Sequence, residues 1–451
     1  MTEVTRAGAF DAHKPPSPEL ISDCVHCGFC LTTCPTYVLW GEEMDSPRGR
    51  IHLMQAGNEG TPMTDEMAGH FDACLGCMAC VTACPSGVQY DRLLEQTRAQ
   101  VERNHPRSRA EKALRETIFK LFPYPDRLRR LRGPLRMTQR LGLDRRLCST
   151  GLLERFLPGL AAMERLTPAL GPAQTLPAEV PAAGPEREVV ALLKGCVQDV
   201  FFSDVNAATA RVLAAEGCRV VIPQDQGCCG ALSSHSGREP EAQRFARSTM
   251  ASFADAGEPG DAGEAGKATT VVTNAAGCGS AMKDYAYLFE GESDAAASRS
   301  AESFGARVQD LSEVLTRLGT VAERHPLPIT VAYHDACHLG HAQGVRDQPR
   351  ELLREIPGLR LVEIPDAAIC CGSAGIYNIL NPEPAAQLGE KKARDILSTG
   401  ADLIVTANPG CLMQIATALD RLGRPVPMAH TAIVLDASIR GLPVDALLGA
   451  R

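Results

Sequence analysis

Eight cysteines fall into two short runs. Cys24-Val-His-Cys27-Gly-Phe-Cys30-Leu-Thr-Thr-Cys34-Pro35 and Cys74-Leu-Gly-Cys77-Met-Ala-Cys80-Val-Thr-Ala-Cys84-Pro85 both follow C-x2-C-x2-C-x3-C-P. Three thiolates at two-residue gaps wrap a compact loop round one face of a cubane iron–sulfur cluster, each reaching a different iron. The fourth lies past the start of a helix and is directed to the other cluster. The spacing therefore predicts a crossed assignment: Cys24, Cys27, Cys30 and Cys84 on one [4Fe–4S] cluster, and Cys74, Cys77, Cys80 and Cys34 on its neighbour. Pro35 and Pro85 end each local turn and hold the direction of the fourth sulfur. Paired zinc knuckles are the competing chemistry, but a zinc site takes four ligands, usually as two C-x2-C halves, whereas eight ligands stand here in an unbroken pattern.

The 39 residues between Cys34 and Cys74 include Asp45-Ser-Pro-Arg48-Gly-Arg50-Ile51. Asp45 or Ser46 is expected to cap a helix opened by Pro47. Arg48 and Arg50 then either lie over a cluster, offsetting its negative charge, or form an ordinary solvated helix start.

Eight further cysteines belong to a pattern that occurs twice. The first copy has Cys196, Gln226-Gly-Cys228-Cys229-Gly230 and Asn274-Ala-Ala-Gly-Cys278; the second has Cys337, Ala368-Ile-Cys370-Cys371-Gly372 and Asn408-Pro-Gly-Cys411. Offsets of 141, 142 and 133 residues mark a tandem duplication, with the excess of copy one in a Gly/Ala/Glu-rich loop beginning at Asp255. Adjacent cysteine side chains diverge, which suits an irregular cluster or a reactive dithiol better than a regular cube. Gly230 and Gly372 let the backbone come close. Each copy is expected to gather four cysteines as candidate metal ligands: Cys196, Cys228, Cys229 and Cys278, then Cys337, Cys370, Cys371 and Cys411. The alternative is that some pack as small hydrophobes in a copy that has lost its cofactor. Cys148 and Cys218 match neither pattern and are expected to be structural. His334, His338 and His341 surround the start of the second motif, and His338 or His341 is a candidate for tuning or protonating a redox centre. His235 follows the first Cys-Cys-Gly.

The elements that must hold these cysteines alternate. Val189–Leu193, Arg219–Ile222, Thr270–Thr273, Ile329–Tyr333 and Leu403–Thr406 read as strands, and Val205–Glu216 as a helix ended by Gly217. Such alternation implies parallel sheets covered by helices, with the cysteines just past the carboxyl ends of strands, where open α/β sheets place their sites. Between Arg98 and Arg146 stand 15 Lys or Arg against five acids, interleaved with Leu and Phe. This reads as amphipathic helices that either dock on an acidic partner or anionic lipid, or pack on the protein itself. Pro, Ala and Gly thicken from Leu157 to Pro185, as in an interdomain linker.

The whole chain has 451 residues with 46 basic and 54 acidic side chains, a net charge of −8 that argues against nucleic-acid binding. No run approaches a membrane span and the first residues lack an apolar signal core, so a cytoplasmic location is expected. That compartment disfavours disulfides, and 18 cysteines then imply metal or redox chemistry.

Two ferredoxin motifs followed by two Cys-Cys-Gly domains resemble the iron–sulfur subunit of bacterial glycolate oxidase, and more widely the heterodisulfide reductase-related proteins. The likeness is carried by Cys24 to Tyr37, Asp45 to Ile51, Cys84-Pro-Ser-Gly-Val88 and Tyr333-His-Asp-Ala-Cys-His-Leu-Gly-His-Ala-Gln-Gly-Val345. It implies a fold of mixed α+β and α/β class. A helical, ferredoxin-like domain with two [4Fe–4S] clusters (15–100) is followed by a basic helical segment and linker (101–185). Two tandem α/β Cys-Cys-Gly domains with parallel sheets (186–320 and 326–448) complete the chain. It also implies an electron-transfer subunit, with no catalytic residue of its own, beside FAD-containing glycolate oxidase subunits that turn glycolate into glyoxylate. Its electrons would go to a quinone or another acceptor, with peripheral contact at the inner face of the cell membrane. One or two additional clusters would sit in the Cys-Cys-Gly domains. In heterodisulfide reductases that domain ends in Cys-x-x-Cys, but here the first cysteine of the pair is replaced, giving Ala275-Ala-Gly-Cys278 and Asn408-Pro-Gly-Cys411. That departure puts the five-cysteine noncubane cluster and disulfide cleavage in doubt. Iron–sulfur subunits serving glycerol 3-phosphate or lactate are the closer alternatives.

Overall fold

A computed structural model describes residues 8–142, 158–254, 269–291 and 294–449. Cys148 and the Gly/Ala/Glu-rich stretch after Asp255 lie outside the described residues.

The amino-terminal domain is built from short helices, including Pro35–Trp40, Pro47–Asn58, Ala79–Ala83 and Tyr90–Asn104. Ser46, rather than Asp45, caps the helix opened by Pro47, accepting from the Gly49 N–H at 3.0 Å. Asp45 is thereby free to turn inward. The apolar faces of these helices meet in one core that includes Met54, Phe71, Leu93 and Leu94.

Each Cys-Cys-Gly domain carries one sheet. The first has β1 (Glu179–Val180), β2 (Glu188–Leu192), β3 (Cys218–Val221), β4 (Thr270–Thr273) and β5 (Val308–Asp310) in the order β1-β3-β2-β4-β5. All its pairings are parallel except that of β1 with β3. The second has β6 (Thr330–Tyr333), β7 (Arg360–Glu363), β8 (Leu403–Thr406) and β9 (Met428–His430) in the order β7-β6-β8-β9, all parallel. Removing β1 leaves two sheets of identical topology, as a duplication requires. The strands are short, and the central ones are apolar on both faces because helices cover both sides; β4 and β8 are buried throughout. The Pro- and Ala-rich linker is more ordered than its composition predicts: it contributes the helix Pro158–Arg165 and the edge strand β1.

The two domains meet reciprocally. Helix Ser203–Ala215 of the first packs on Thr431–Ile439 of the second, and Leu311–Leu318 of the first packs on Asp347–Arg354 of the second. One continuous apolar core crosses the junction, including Leu213, Leu315, Leu353 and Leu435.

The basic helices Arg109–Leu121 and Pro125–Arg140 lie against the rest of the chain. Arg107 Nη1 bonds Asp72 at 2.8 Å, Arg129 pairs with Asp199, and Arg132 donates to the carbonyls of Val200 at 2.9 Å and Gly171 at 2.8 Å. Much of the positive charge is thus spent on intramolecular docking. Leu131, Met137 and Leu141 remain exposed on the outer side.

Candidate iron–sulfur centres

The two ferredoxin runs fold alike. In the first, His26 and Gly28 flank Cys27 with φ of 54° and 86°; in the second, Gly76 and Met78 flank Cys77 with 64° and 62°. Left-handed residues on both sides of the middle cysteine curl each loop so that its thiols converge. Cys34 and Cys84 share nearly one conformation, φ −81°, ψ 116° and φ −82°, ψ 116°, and Pro35 opens the helix behind Cys34.

Cys34, Cys74, Cys77 and Cys80 line a single small internal cavity with Arg50 and Tyr90. All four are buried. The other set lies nearer the surface: Cys24, Cys30 and Cys84 are half-buried and Cys27 is exposed. Burial pushes the Cys30 thiol up to about 11 and, with Cys84 and Cys27 close by, raises that of Cys24 as well. Metal binding must deprotonate such thiols, so cluster assembly and the order of these loops are coupled.

Arg50 is completely buried. Its Nη1 and Nη2 each lie 3.2 Å from Thr36 Oγ1, its Nη2 bonds Asp45 Oδ1 at 3.1 Å, and its Nε donates to the His70 carbonyl at 2.6 Å. Thr36 Oγ1 in turn stands 3.3 Å from Cys34 Sγ. Arg48 caps the other loop, donating to the His26 carbonyl at 3.0 Å while Glu43 holds its Nε at 2.6 Å. The second loop has a matching arginine that the sequence reading passed over: Arg98 donates from Nη2 to the Cys74 carbonyl at 2.6 Å and from Nη1 to the His235 carbonyl at 2.8 Å. A Cβ on Gly28 would stand 2.7 Å from Arg48 Nη1, and one on Gly76 2.9 Å from Arg98 Nη1. The signal was present in the numbering, since every cysteine of the second run, and Arg98 itself, lies 50 residues after its counterpart.

In the first Cys-Cys-Gly domain, Cys196 Sγ lies 3.6 Å from Cys228 Sγ, and Cys229 hydrogen-bonds both Cys228 and Cys278. Those bonds hold Cys229 well below the ordinary thiol value, whereas Cys228 and Cys278 are raised. In the second domain the chain of thiol contacts runs Cys337–Cys370–Cys371–Cys411. The structure therefore gathers all four predicted cysteines in each copy. Gly230 and Gly372 have φ of 83° and 90°, and each donates its N–H to the first thiol of its pair, at 3.3 Å to Cys228 and 3.5 Å to Cys370. A Cβ on Gly372 would meet the Ala385 carbonyl at 2.7 Å, so glycine is required where the helix Pro382–Ser398 closes over the pair. Cys218 is buried in β3 within the apolar core and touches neither set.

The buried ferredoxin thiols adjoin the second domain. Leu75, Cys77 and Ala79 share one apolar cluster with Ile369 and Cys370, and Cys337 packs against it. His338 Nε2 donates to the Gly76 carbonyl at 3.0 Å, and its ring lies 4.8 Å from that of His235. His341 Nδ1 faces Thr82 Oγ1 at 2.8 Å and accepts from Arg346 at 2.9 Å, and its Nε2 donates to the Ala368 carbonyl at 3.2 Å. The two histidines singled out from sequence are thus tethers between domains. A cleft of about 500 Å³ between the amino-terminal domain and the first Cys-Cys-Gly domain reaches Cys229, with Arg92, Glu95, His235 and Lys283 in its wall. Among the described residues no helix is long and apolar enough to cross a membrane.

Two ferredoxin-type thiol sets on helical loops, followed by two thiol sets at the edges of parallel α/β sheets, define an iron–sulfur electron-transfer protein. Comparison with known families agrees. Residues 20–88 match the 4Fe-4S dicluster domain, 110–167 the linker region of the glycolate oxidase iron-sulfur subunit, and 190–283 and 331–416 the Cysteine-rich domain. The chain is 38% identical over 409 residues to "Probable glycolate oxidase iron-sulfur subunit" of Bacillus subtilis (strain 168), covering 89% of each chain. It is 34% identical over 420 residues to "Glycolate oxidase iron-sulfur subunit" of Escherichia coli (strain K12), covering 92% of this chain and 95% of that one. "Lactate utilization protein A" of Geobacillus kaustophilus (strain HTA426) is 34% identical over 250 residues, 55% of this chain and 98% of the relative. The chain belongs to the glycolate oxidase iron–sulfur subunit family. It is an iron–sulfur, electron-transferring subunit of an oxidoreductase complex, and its dicluster domain is of the [4Fe–4S] type.

Proposed function

We propose that this chain conducts electrons, one at a time, from a FAD-containing subunit that oxidises glycolate to glyoxylate, towards a quinone or another acceptor at the inner face of the cell membrane. Cys24, Cys27, Cys30 and Cys84 would hold one [4Fe–4S] cluster, and Cys74, Cys77, Cys80 and Cys34 the second. Cys337, Cys370, Cys371 and Cys411 would hold a further centre, and Cys196, Cys228, Cys229 and Cys278 are candidates for another. When bound, such clusters supply one-electron carriers whose potentials follow ligation, nearby charge and solvent access.

The observation that carries this reading is the packing of Cys77 in one apolar cluster with Cys370, with Cys337 against it. Cys77 and Cys370, 293 residues apart in sequence, share this buried cluster with Leu75 and Ile369. Arg50 supplies a buried positive charge beside the Cys34, Cys74, Cys77 and Cys80 cavity. At the other end Cys27 is exposed between Val25 and Phe29, each about two-thirds exposed (68% and 67%), which supports entry from a docked partner there. The exposed Leu131, Met137 and Leu141 support contact with a partner or lipid surface on the basic helices.

The test is to copurify the chain with the FAD subunits of its own genome and add glycolate, lactate or glycerol 3-phosphate anaerobically. Bleaching of the iron–sulfur absorbance by glycolate in preference to the other two is expected. Preference for lactate, towards which the likeness to the Geobacillus protein points, would reassign the substrate. No bleaching with any competent flavin partner would remove the electron-transfer reading.

A further inference from the structure

His334 is a buried polar residue at the edge of the second thiol set. It follows β6 directly and is 1% exposed. Its backbone N–H donates to the Val405 carbonyl at 2.8 Å, which fixes it between β6 and β8. Its Nδ1 is buried with no hydrogen-bond partner. A buried imidazole nitrogen left unsatisfied is costly, and a native structure normally gives such an atom a partner.

What the ring does face is sulfur. A ring nitrogen of His334 and the Sγ atoms of Cys371 and Cys411 all lie within 4.8 Å of one another, and all three residues are buried. These two thiols end the contact chain Cys337–Cys370–Cys371–Cys411. The imidazole therefore stands at the side of the set remote from Cys337 in that chain.

The duplication supplies a control. Cys337 corresponds to Cys196, so the counterpart of His334, three residues earlier, is Leu193. Leu193 is 2% exposed and belongs to the apolar core of the first domain. A leucine satisfies that position in copy one, so neither the strand nor the packing demands a histidine. On the helix Pro382–Ser398, Lys392, 1% exposed with its Nζ donating to the Asp366 carbonyl at 2.7 Å, stands where the first domain has the buried Thr249, so a charged side chain replaces a neutral one there.

We propose that His334 is a ligand of the centre held by Cys337, Cys370, Cys371 and Cys411, making the second Cys-Cys-Gly site a mixed thiolate–imidazole iron–sulfur site while the first offers thiolates alone. The inference rests on the reading that the second domain binds a cluster. A neutral nitrogen ligand brings less negative charge than a thiolate, and histidine ligation raises the potential of iron–sulfur centres. The two copies would then differ in potential through one side chain, and the second would be the better electron acceptor.

The test uses full-length protein, purified anaerobically with isotopically labelled histidine, and pulsed EPR of the reduced centres. A directly coordinated histidine nitrogen is expected. In H334L, which copies the first domain, that coupling disappears, the iron content stays unchanged and the centre's midpoint potential falls. A wild-type spectrum of the second-domain centre with no histidine coupling overturns the proposal whether or not H334L folds. So does a coupling that persists in H334L. Either result leaves the cluster reading intact. C371A separates the two: unchanged iron and unchanged spectra in that variant would overturn the second-domain cluster and the His334 ligand together, as would zinc in place of iron.

Discussion

His338 Nε2 lies 3.0 Å from the carbonyl oxygen of Gly76, tying the second Cys-Cys-Gly motif to the loop between Cys74 and Cys77. The bond spans 262 residues of sequence. Burial lowers the pKa of His338, which keeps its ring neutral, so Nε2–H donates and no charge is stranded. The ferredoxin loop and the thiols of the second domain are thus held in fixed register.

Replacing this tether should affect transfer more than assembly. H338A is expected to retain its iron, but to slow reduction of the second-domain centre by roughly tenfold or more after rapid photoreduction of the ferredoxin clusters, as about 1.4 kcal/mol of barrier corresponds to tenfold. H338Q, which keeps an N–H donor, should recover most of the rate. Equal rates in wild type and H338A would show that the tether has no part in transfer.

Arg50 should set both potential and stability in the amino-terminal domain. R50Q removes a buried positive charge beside the Cys34 set and leaves Asp45, 8% exposed, with His70 Nδ1 at 3.0 Å as its remaining side-chain partner. A loss of about 3–5 kcal/mol is expected for breaking a buried pair from one side. Redox titration should show a lower midpoint potential for that cluster. R50K should rescue only in part, because an ammonium cannot reproduce the guanidinium fork on Thr36, Asp45 and the His70 carbonyl.

Much of this arrangement was legible in the chain itself. Cysteine spacing predicted two clusters because three thiols of each set stand in one short loop whose geometry brings them together, while the fourth crosses from the other run. Strands such as Thr270–Thr273 and Leu403–Thr406 emerged with their observed limits, since fully buried strands are continuous apolar runs. What remained hidden was long-range. Nothing in the sequence near His338 says that its partner is Gly76, and the arginines at 107, 129 and 132 look like a free basic face until Asp72, Asp199 and the Val200 carbonyl are brought to them. His334 was conspicuous beside the second motif, but its role was hidden for the same reason. Its significance depends on sulfurs 37 and 77 residues later, and on the leucine that replaces it in the first copy.

The junction between the Cys-Cys-Gly domains should respond to acid. His430 Nε2 donates to the Asn274 carbonyl at 2.7 Å, and its Nδ1 accepts from the Ala432 N–H at 3.1 Å. Burial depresses its pKa from 6.5 to about 4. The neutral ring is the one the fold requires, so the associated stability is fully present above pH 6.5 and is lost as pH falls towards 4. Roughly 3 kcal/mol is at stake at 1.36 kcal/mol per pKa unit. Denaturation midpoints of H430Q should show a shallower pH dependence than wild type across that window; parallel curves would exclude His430 as the sensor.

Arg211 and Asp436 couple the same two domains through a two-pronged pair, Nε to Oδ1 at 2.9 Å and Nη2 to Oδ2 at 2.7 Å. Asp436 is nearly buried and Arg211 is partly exposed, so solvent weakens the charge. A double-mutant cycle on R211A and D436A is expected to give a coupling of about 1 kcal/mol. Independent effects would mean that the apolar core alone holds the domains together.

The central claim is that the thiol sets cage iron and inorganic sulfide in a conducting series. Anaerobic iron and acid-labile sulfide analysis of the full chain, with C77A beside it, tests this most directly. Four irons per cluster predict about eight from the ferredoxin sets, more if the Cys-Cys-Gly sets fill, and a loss of about four in C77A. Colourless protein carrying zinc, with no labile sulfide and no change in C77A, would contradict the account.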